Sequence, residues 1–464
     1  MKVEQIYTGC LSQGAYFIES NGEAAVIDPL RDISEYIQMA DQANAKIKYV
    51  FETHFHADFI SGHLTLANLT GATIVYGPEA DPNFESIIAQ DNQVFKIGDV
   101  TLTAIHTPGH TLESTSFLLK DKDGKEQCIF TGDTLFLGDV GIPDVAQRYK
   151  GLSKEDLAGT IFDSVNNRIK PLPDDILVYP GHGAGSACGK SMMKETVDTL
   201  GNQKKINYAL NGSFSRNSFI KELTDELPEP PAYFPSNVKL NQEGYLDINK
   251  ILEKSLVPLS IEDFKTALSL PNTIILDVRS QDAFKDGFVP NSIFIGINGG
   301  FAPWVGSVIK DINTKILLVC ENGQETETIT RLSRVGFDNV IGYLDGSFEI
   351  WKSCGEKVET IESISAEELE KVIKSEINLI DVRACGERKN GYLSSTISIP
   401  LNKFDSEIDT IDKKEKQYIH CAGGYRSMIA CSMLKKKGYQ SIIDVKGGFG
   451  AIRNNTKLKI TLDN

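Results

Sequence analysis

The residues best suited to chemistry sit in Thr53-His54-Phe55-His56-Ala57-Asp58-Phe59, where two imidazoles and a carboxylate alternate directly after the apolar run 47–51. That run reads as a strand, and ligands clustered just past a strand end lie at a loop edge, open to a substrate. His110, Asp133 and His182 follow, each in a turn rich in glycine. Six of the seven histidines lie at or before His182, and the seventh, His420, stands beside Cys421. The first part of the chain is therefore equipped for a metal and the last part for sulfur. In the last part, Cys421-Ala422-Gly423-Gly424-Tyr425-Arg426-Ser427 follows a strand and opens a helix. A thiol there meets a ring of backbone N–H groups at a helix start, which stabilises a thiolate, a persulfide or an anionic sulfur oxyacid. Arg426 adds a fixed positive charge suited to sulfite or thiosulfate.

The elements that position these residues follow from periodicity. Residues 1 to about 210 alternate short strands and helices. Strands are expected over 15–18, 24–29, 71–76, 100–105, 127–131 and 176–179, and helices over 33–44 and 191–210. Each candidate ligand follows a strand, so the ligands gather at one edge of the sheets. The proline-dense stretch 227–235 reads as an extended connection between domains. Beyond it lies an internal repeat with an offset of about 100 residues, which means two copies of one domain. Asp277-Val278-Arg279 matches Asp381-Val382-Arg383, Cys320 matches Cys421, and Gly346-Ser347-Phe348 matches Gly447-Gly448-Phe449. Strands alternating with helices predict a small parallel sheet in each copy. The expected domains are 1–235, a linker at 236–255, 256–358 and 359–464.

The totals bound the function. A chain of 464 residues predicts about three domains. A net charge of −15 argues against nucleic acid or an anionic membrane surface as partner. No stretch is apolar enough to span a bilayer, and the N-terminus runs straight into a strand pattern without a signal-peptide core. Eight cysteines without paired spacing fit a reducing, cytoplasmic setting. Cys10, Cys128, Cys354, Cys385 and Cys431 read as packing or surface thiols, and His63 and His106 as surface and strand histidines.

The segments 54–58, 107–111, 131–134 and 180–183 resemble, in order, the metal motifs of the metallo-β-lactamase superfamily. The resemblance implies an α/β fold, an αβ/βα sandwich with metal at the sheet edge. Two-metal members carry a histidine where this chain has Phe59, and a phenyl ring cannot coordinate a cation. What remains resembles the persulfide dioxygenase branch. That likeness implies one Fe(2+) held by His54, His110 and Asp133, with His56, Asp58 and His182 orienting the ligands or binding water. Zn(2+) is the alternative. The loop 138–144 resembles one that carries an arginine at the position of Ile142 in glutathione-using members, so a persulfide of another low-molecular-weight thiol is expected. Cys188 has two readings of equal weight, a thiol near the metal site at a helix start or a buried structural thiol.

The 421–427 loop, with Asp381-Val382-Arg383, Glu387 and Gly447-Gly448-Phe449, resembles rhodanese domains. In the first copy the loop reads Cys320-Glu321-Asn322-Gly323-Gln324-Glu325, with Glu325 where Arg426 stands. Like charges beside a thiol disfavour the thiolate and repel anions, so this copy is expected to be structural. Together the resemblances imply oxidation of a thiol persulfide by dioxygen to sulfite, coupled to sulfur transfer through Cys421 that makes or uses thiosulfate, and self-association into a homo-oligomer. A zinc thioester hydrolase of the glyoxalase II kind fused to a sulfurtransferase, and a non-enzymatic sulfur carrier, are the alternatives.

Overall fold

The computed structural model describes residues 1–143, 151–225, 227, 230–373 and 377–462, and its chain divides into two compact units, Met1–Ile251 with Ser333–Gly336, and Leu252–Leu332 with Phe337–Asn464. In the first unit two six-stranded sheets face each other. One runs Lys2–Thr8, Gln13–Ser20, Glu23–Ile27, Lys46–Phe51, Thr73–Tyr76, Ile87–Ile88, and the other Asp198–Thr199, Leu177–Pro180, Glu126–Gly132, Thr115–Lys120, Val100–His106, Val94–Ile97. Strand side chains alternate faces. Tyr16 and Ile18 therefore enter the core between the sheets with Phe51, Phe117 and Phe130, whereas Ala15 and Phe17 face an outer core with Tyr36 and Leu66. Helices Lys154–Ser164 and Arg216–Thr224 cover the second sheet through Ala158, Ile161 and Phe219. The result is helix, sheet, sheet, helix: the expected sandwich.

Two local expectations need correction. Helix runs only over Leu200–Ile206, not 191–210. The buried carboxylate of Asp139 captures the amides of Lys190 and Ser191 at 2.7 and 2.6 Å, and Leu137 O accepts from Met193 N–H, so these donors are taken by tertiary partners. Cys188 is consequently not at a helix start. The region expected to be an extended connection and a linker is largely helical, with helices Phe234–Glu243 and Ile248–Ser255. Pro235 is no obstacle there, because a proline in the first helical turn lacks only an N–H that has no helical partner anyway. Residues 226, 228 and 229 of that stretch lie outside the described residues.

Helix Phe234–Glu243 belongs to the first unit functionally as well. Buried Asn241 donates to the carbonyls of His56 and Phe59, both at 2.8 Å, and accepts from Ser61 N–H at 2.9 Å. It thereby pins the loop that carries the first histidine motif.

In the second unit the repeat appears as two five-stranded parallel sheets of identical order: Pro258–Leu259, Val340–Leu344, Lys315–Val319, Thr273–Asp277, Ile293–Phe294, and Glu362–Ile364, Ile442–Val445, Gln417–His420, Asn378–Asp381, Thr396–Ser398. Each copy is locked by the same clamp. Arg279 pairs with Asp277 at 2.6 Å, donates to Gly287 O and lies over Phe348; Arg383 pairs with Asp381 at 2.8 Å, donates to Gly391 O and lies over Phe449.

Replacing Asn241 by alanine removes three buried hydrogen bonds and should cost about 3 kcal/mol at about 1 kcal/mol each. Urea unfolding of the first unit in the intact chain measures this, and a loss below about 1 kcal/mol would show that the helix does not hold the loop.

Candidate functional site

The ligand atoms of His54, His110 and Asp133 lie within 4.8 Å of one another and all three residues are buried. They come from three strand ends: His54 after Lys46–Phe51, His110 after Val100–His106, and Asp133 directly after Glu126–Gly132.

Both rings are held in one tautomer. Thr53 Oγ1 donates its hydrogen to Asp28 Oδ2 at 2.8 Å, so at 3.0 Å it can only accept from His54 Nδ1–H. His110 Nδ1–H donates to Ile142 O at 2.8 Å. Each ring is left with its Nε2 lone pair for a cation. Burial, then the neighbouring His56, push His54 well below its ordinary value, so the ring is neutral and ready to ligate. Burial alone would raise the Asp133 carboxyl. The His182 imidazole, with Nδ1 at 2.8 Å from Oδ1, overrides this and holds Asp133 ionised well below the usual range. His182 Nε2 in turn meets Asp58 Oδ2 at 2.8 Å, and Asp58 Oδ1 is buried with no hydrogen-bond partner among the described residues. Two imidazoles and one carboxylate, each oriented by a further partner, fit a single divalent cation.

His56 packs its ring 4.3 Å from that of His54 but is not one of the trio. Its Nε2 sits 3.1 Å from Asp28 Oδ1 and 3.3 Å from Glu52 Oε2. Burial would lower this histidine, yet the two carboxylates push it up to about 10. Phe59 is fully buried with its ring 4.3 Å from that of His56. Asp28 and Glu52 are site residues that sequence reasoning missed. The available signal was a carboxylate closing each of two apolar strands. His63 is not on the surface: it is wholly buried with Nδ1 3.5 Å from Glu52. Cys188 is buried with its sulfur within 4.8 Å of ligand atoms of Asp58 and His182, and its carbonyl accepts from Ile142 N–H at 3.0 Å. Ile142 is itself part of the apolar core, and Asp144 lies outside the described residues.

In the second unit Gly424 N–H donates to Cys421 Sγ at 3.0 Å, and helix Tyr425–Lys436 starts there. Ser427 lies 3.7 Å from the sulfur and donates to Asp444 at 2.6 Å. Arg426 is forked onto Glu387 at 2.6 and 2.7 Å. Part of its charge is therefore compensated, and its remaining N–H donors face outward from that pair. In the first copy, Glu325 folds back to accept Gly323 N–H at 3.1 Å, occupying an amide that a ligand would need. Burial, then Glu325, Asp277 and Glu321, push the Cys320 thiol up to about 12.

Comparison with known proteins agrees with this geometry. A model of the metallo-beta-lactamase superfamily matches residues 8–182, and one of the rhodanese-like domain matches 260–354 and 365–455. The crystal structure of a metallo-beta-lactamase from Staphylococcus aureus subsp. aureus COL superposes with a TM-score of 0.65 and 32% identity, covering 74% of this chain and 98% of that one. This chain belongs to the metallo-beta-lactamase superfamily. It adds two rhodanese-like domains to that fold. Among curated proteins, the cytoplasmic hydroxyacylglutathione hydrolase of Arabidopsis thaliana is 34% identical over 166 residues, which are 35% of this chain and 60% of that protein. Hydroxyacylglutathione hydrolase GloC of Haemophilus influenzae is 25% identical over 234 residues, 46% of this chain and 99% of that protein. The chain thus spans about three-fifths of the Arabidopsis relative's length. No described helix is long and apolar enough to cross a membrane.

Removal of His54 should abolish tight metal binding, whereas His182→Ala, which strips the partner from Asp133, should weaken it about 10- to 100-fold. Metal titration with a competing chelator checks both: tight binding retained without His54 would contradict the ligand set, and equal affinities for the His182 variant and the parent would contradict the role of His182 in holding Asp133.

Proposed function

We propose that this chain is a mononuclear iron persulfide dioxygenase coupled to a sulfurtransferase. The observation that carries the reading is the ligand trio His54, His110 and Asp133 with a buried phenyl ring at Phe59, where a second cation would need an imidazole. Ferrous iron in a site of two imidazoles, one carboxylate and open positions supplies dioxygen activation. The overall reaction is RSSH + O2 + H2O → RSH + SO3(2−) + 2H+.

The chain's own residues have distinct tasks. Thr53 and Ile142 keep the two ligand rings in the Nε2-ligating tautomer. The Asp58–His182–Asp133 chain holds a proton on the imidazole and keeps Asp133 ionised. Burial of the trio limits water at the reacting atoms. Ile142, which stands where the resemblance has an arginine in glutathione-using members, offers no donor to a substrate carboxylate, and on that resemblance a thiol other than glutathione is the expected carrier. At the second site the Cys421 thiolate attacks the outer sulfur of RSSH, giving CysSS(−) and RSH. Sulfite then takes that sulfur, giving thiosulfate and regenerating CysS(−). The Gly424 amide and Arg426 face the charge that develops on sulfur and its oxyanion partners.

A second reading, a zinc thioester hydrolase fused to the same sulfurtransferase, is favoured by the names of the curated relatives. The two readings part on metal and oxygen. The dioxygenase reading expects one iron per chain, oxygen uptake with a persulfide, and sulfite formed in step with it; two zincs and anaerobic thioester hydrolysis would replace it. For sulfur transfer, Cys421→Ala should abolish activity and Cys320→Ala should leave it within about twofold, since a thiol pushed to about 12 is about one part in ten thousand thiolate at pH 8. Thiosulfate-to-cyanide transfer rates read this out.

A further inference from the structure

The sulfur-transfer loop has an anchor outside its own domain. Gly423 and Gly424 stand side by side, no atom lies within 4 Å of where a side chain at Gly423 would start, and Gly424 has φ +107°. Such a pair loses much conformational freedom when ordered, so the loop needs a restraint to keep the Gly424 amide on Cys421 Sγ. The next residue supplies one. Tyr425 donates its hydroxyl hydrogen to Gly296 O of the first rhodanese-like copy at 2.7 Å. Its ring packs on Phe294 of that copy, with centroids 5.9 Å apart. It also lies so close to Gly299 that a Cβ there would come within 2.3 Å of two ring carbons. Burial pushes the phenol up, so it remains a protonated donor. Nearby, Phe294 N–H donates to Ser432 Oγ on the helix that Tyr425 opens, at 3.0 Å. Gln281 Nε2, again from the first copy, lies 3.5 Å from the Cβ position of Gly424.

We infer that the first rhodanese-like copy, whose own loop is closed by Glu325, serves as a positioning element for the second: Gly296 and Gly299 seat Tyr425 and so hold the Gly424 amide and Arg426 in register with Cys421. The inference rests on Cys421 being the sulfur-transfer nucleophile. A tyrosine suits the task, because it bridges the gap with two side-chain torsions and ends in one directional bond.

The test uses the full chain with thiosulfate as donor and cyanide as acceptor. Gly299→Ala, which pushes against the Tyr425 ring, should lower kcat at least about tenfold, the scale of a mispositioned reacting group, with KM for thiosulfate changed far less. In a Tyr425→Ala background the same glycine change should have no further effect, since the ring it collides with is gone. Tyr425→Phe, which deletes only the hydroxyl, should lower kcat about fivefold for one lost hydrogen bond. Lys310→Ala breaks a 3.0 Å ion pair to Asp405 between the same two copies and should leave kcat unchanged. Unchanged kcat in Tyr425→Phe, additive effects of the Gly299 and Tyr425 changes, or an equal loss in Lys310→Ala would each overturn the inference. Persistence of transfer in Cys421→Ala would instead overturn the assignment of the nucleophile.

Discussion

The metal site depends on one constraint: two imidazoles must turn the same nitrogen toward the point that one ionised carboxylate also faces, inside a buried pocket. Neither ring chooses its tautomer alone. Thr53 can accept from His54 only because Asp28 takes its hydrogen, and the Ile142 carbonyl does the equivalent for His110. Asp133 stays charged despite burial because His182 stands against it, and His182 keeps its proton despite burial because Asp133, and then Asp58 on its other side, hold it there. An alternation of carboxylate and imidazole runs from Asp58 to the cation position. Removing any member leaves a buried polar group unpaired, which costs far more than the bond is worth when intact.

The two rhodanese-like copies show how one scaffold supports different chemistry. The Asp–Arg clamp over a phenylalanine recurs with nearly the same distances, because in each copy it welds the strand that ends in the aspartate to the loop beyond it. The two cysteine loops differ in sign of charge. In the second copy a backbone amide points at sulfur, and in the first a carboxylate takes a loop amide for itself. The matching position after each loop differs too. Gly448 has φ +55° and approaches Cys421 O so closely that a Cβ would lie 2.3 Å from it, whereas Ser347 adopts φ +60° and donates its hydroxyl to Cys320 O. Backbone packing against the cysteine thus excludes a Cβ in the second copy and accommodates a serine in the first.

Much of this was legible from the chain alone, for physical reasons. Strands announced themselves by apolar runs, and the candidate ligands by polar residues placed just past their ends; the resemblance, not the spacing, singled out His54, His110 and Asp133 among them. The repeat was visible because the clamp and the cysteine recur at a nearly constant offset. Less was legible where the deciding partner is distant in sequence. The stretch 191–210 carries helix-forming residues, but Asp139 and Leu137 claim the amides of its first part. The stretch 227–235 carries prolines that read as an extended connection, yet Asn241 on the helix Phe234–Glu243 holds the histidine loop. Asp28 and Glu52 looked like strand endings until folding set them around His56.

The sequence by itself determined the sandwich, the doubled rhodanese-like domain, the absence of an imidazole at position 59 and the opposite charges of the two cysteine loops. Those are properties of residue type and spacing, and no packing can add a ligand atom or change a side chain's charge. Tertiary structure alone decided which of the buried histidines stay neutral and which are driven upward, that Cys188 lies in an irregular buried loop, and that Tyr425 reaches across to Gly296. Each of these turns on distances between groups far apart in the chain, where burial and a neighbouring carboxylate or carbonyl oppose one another and only their separation settles the outcome.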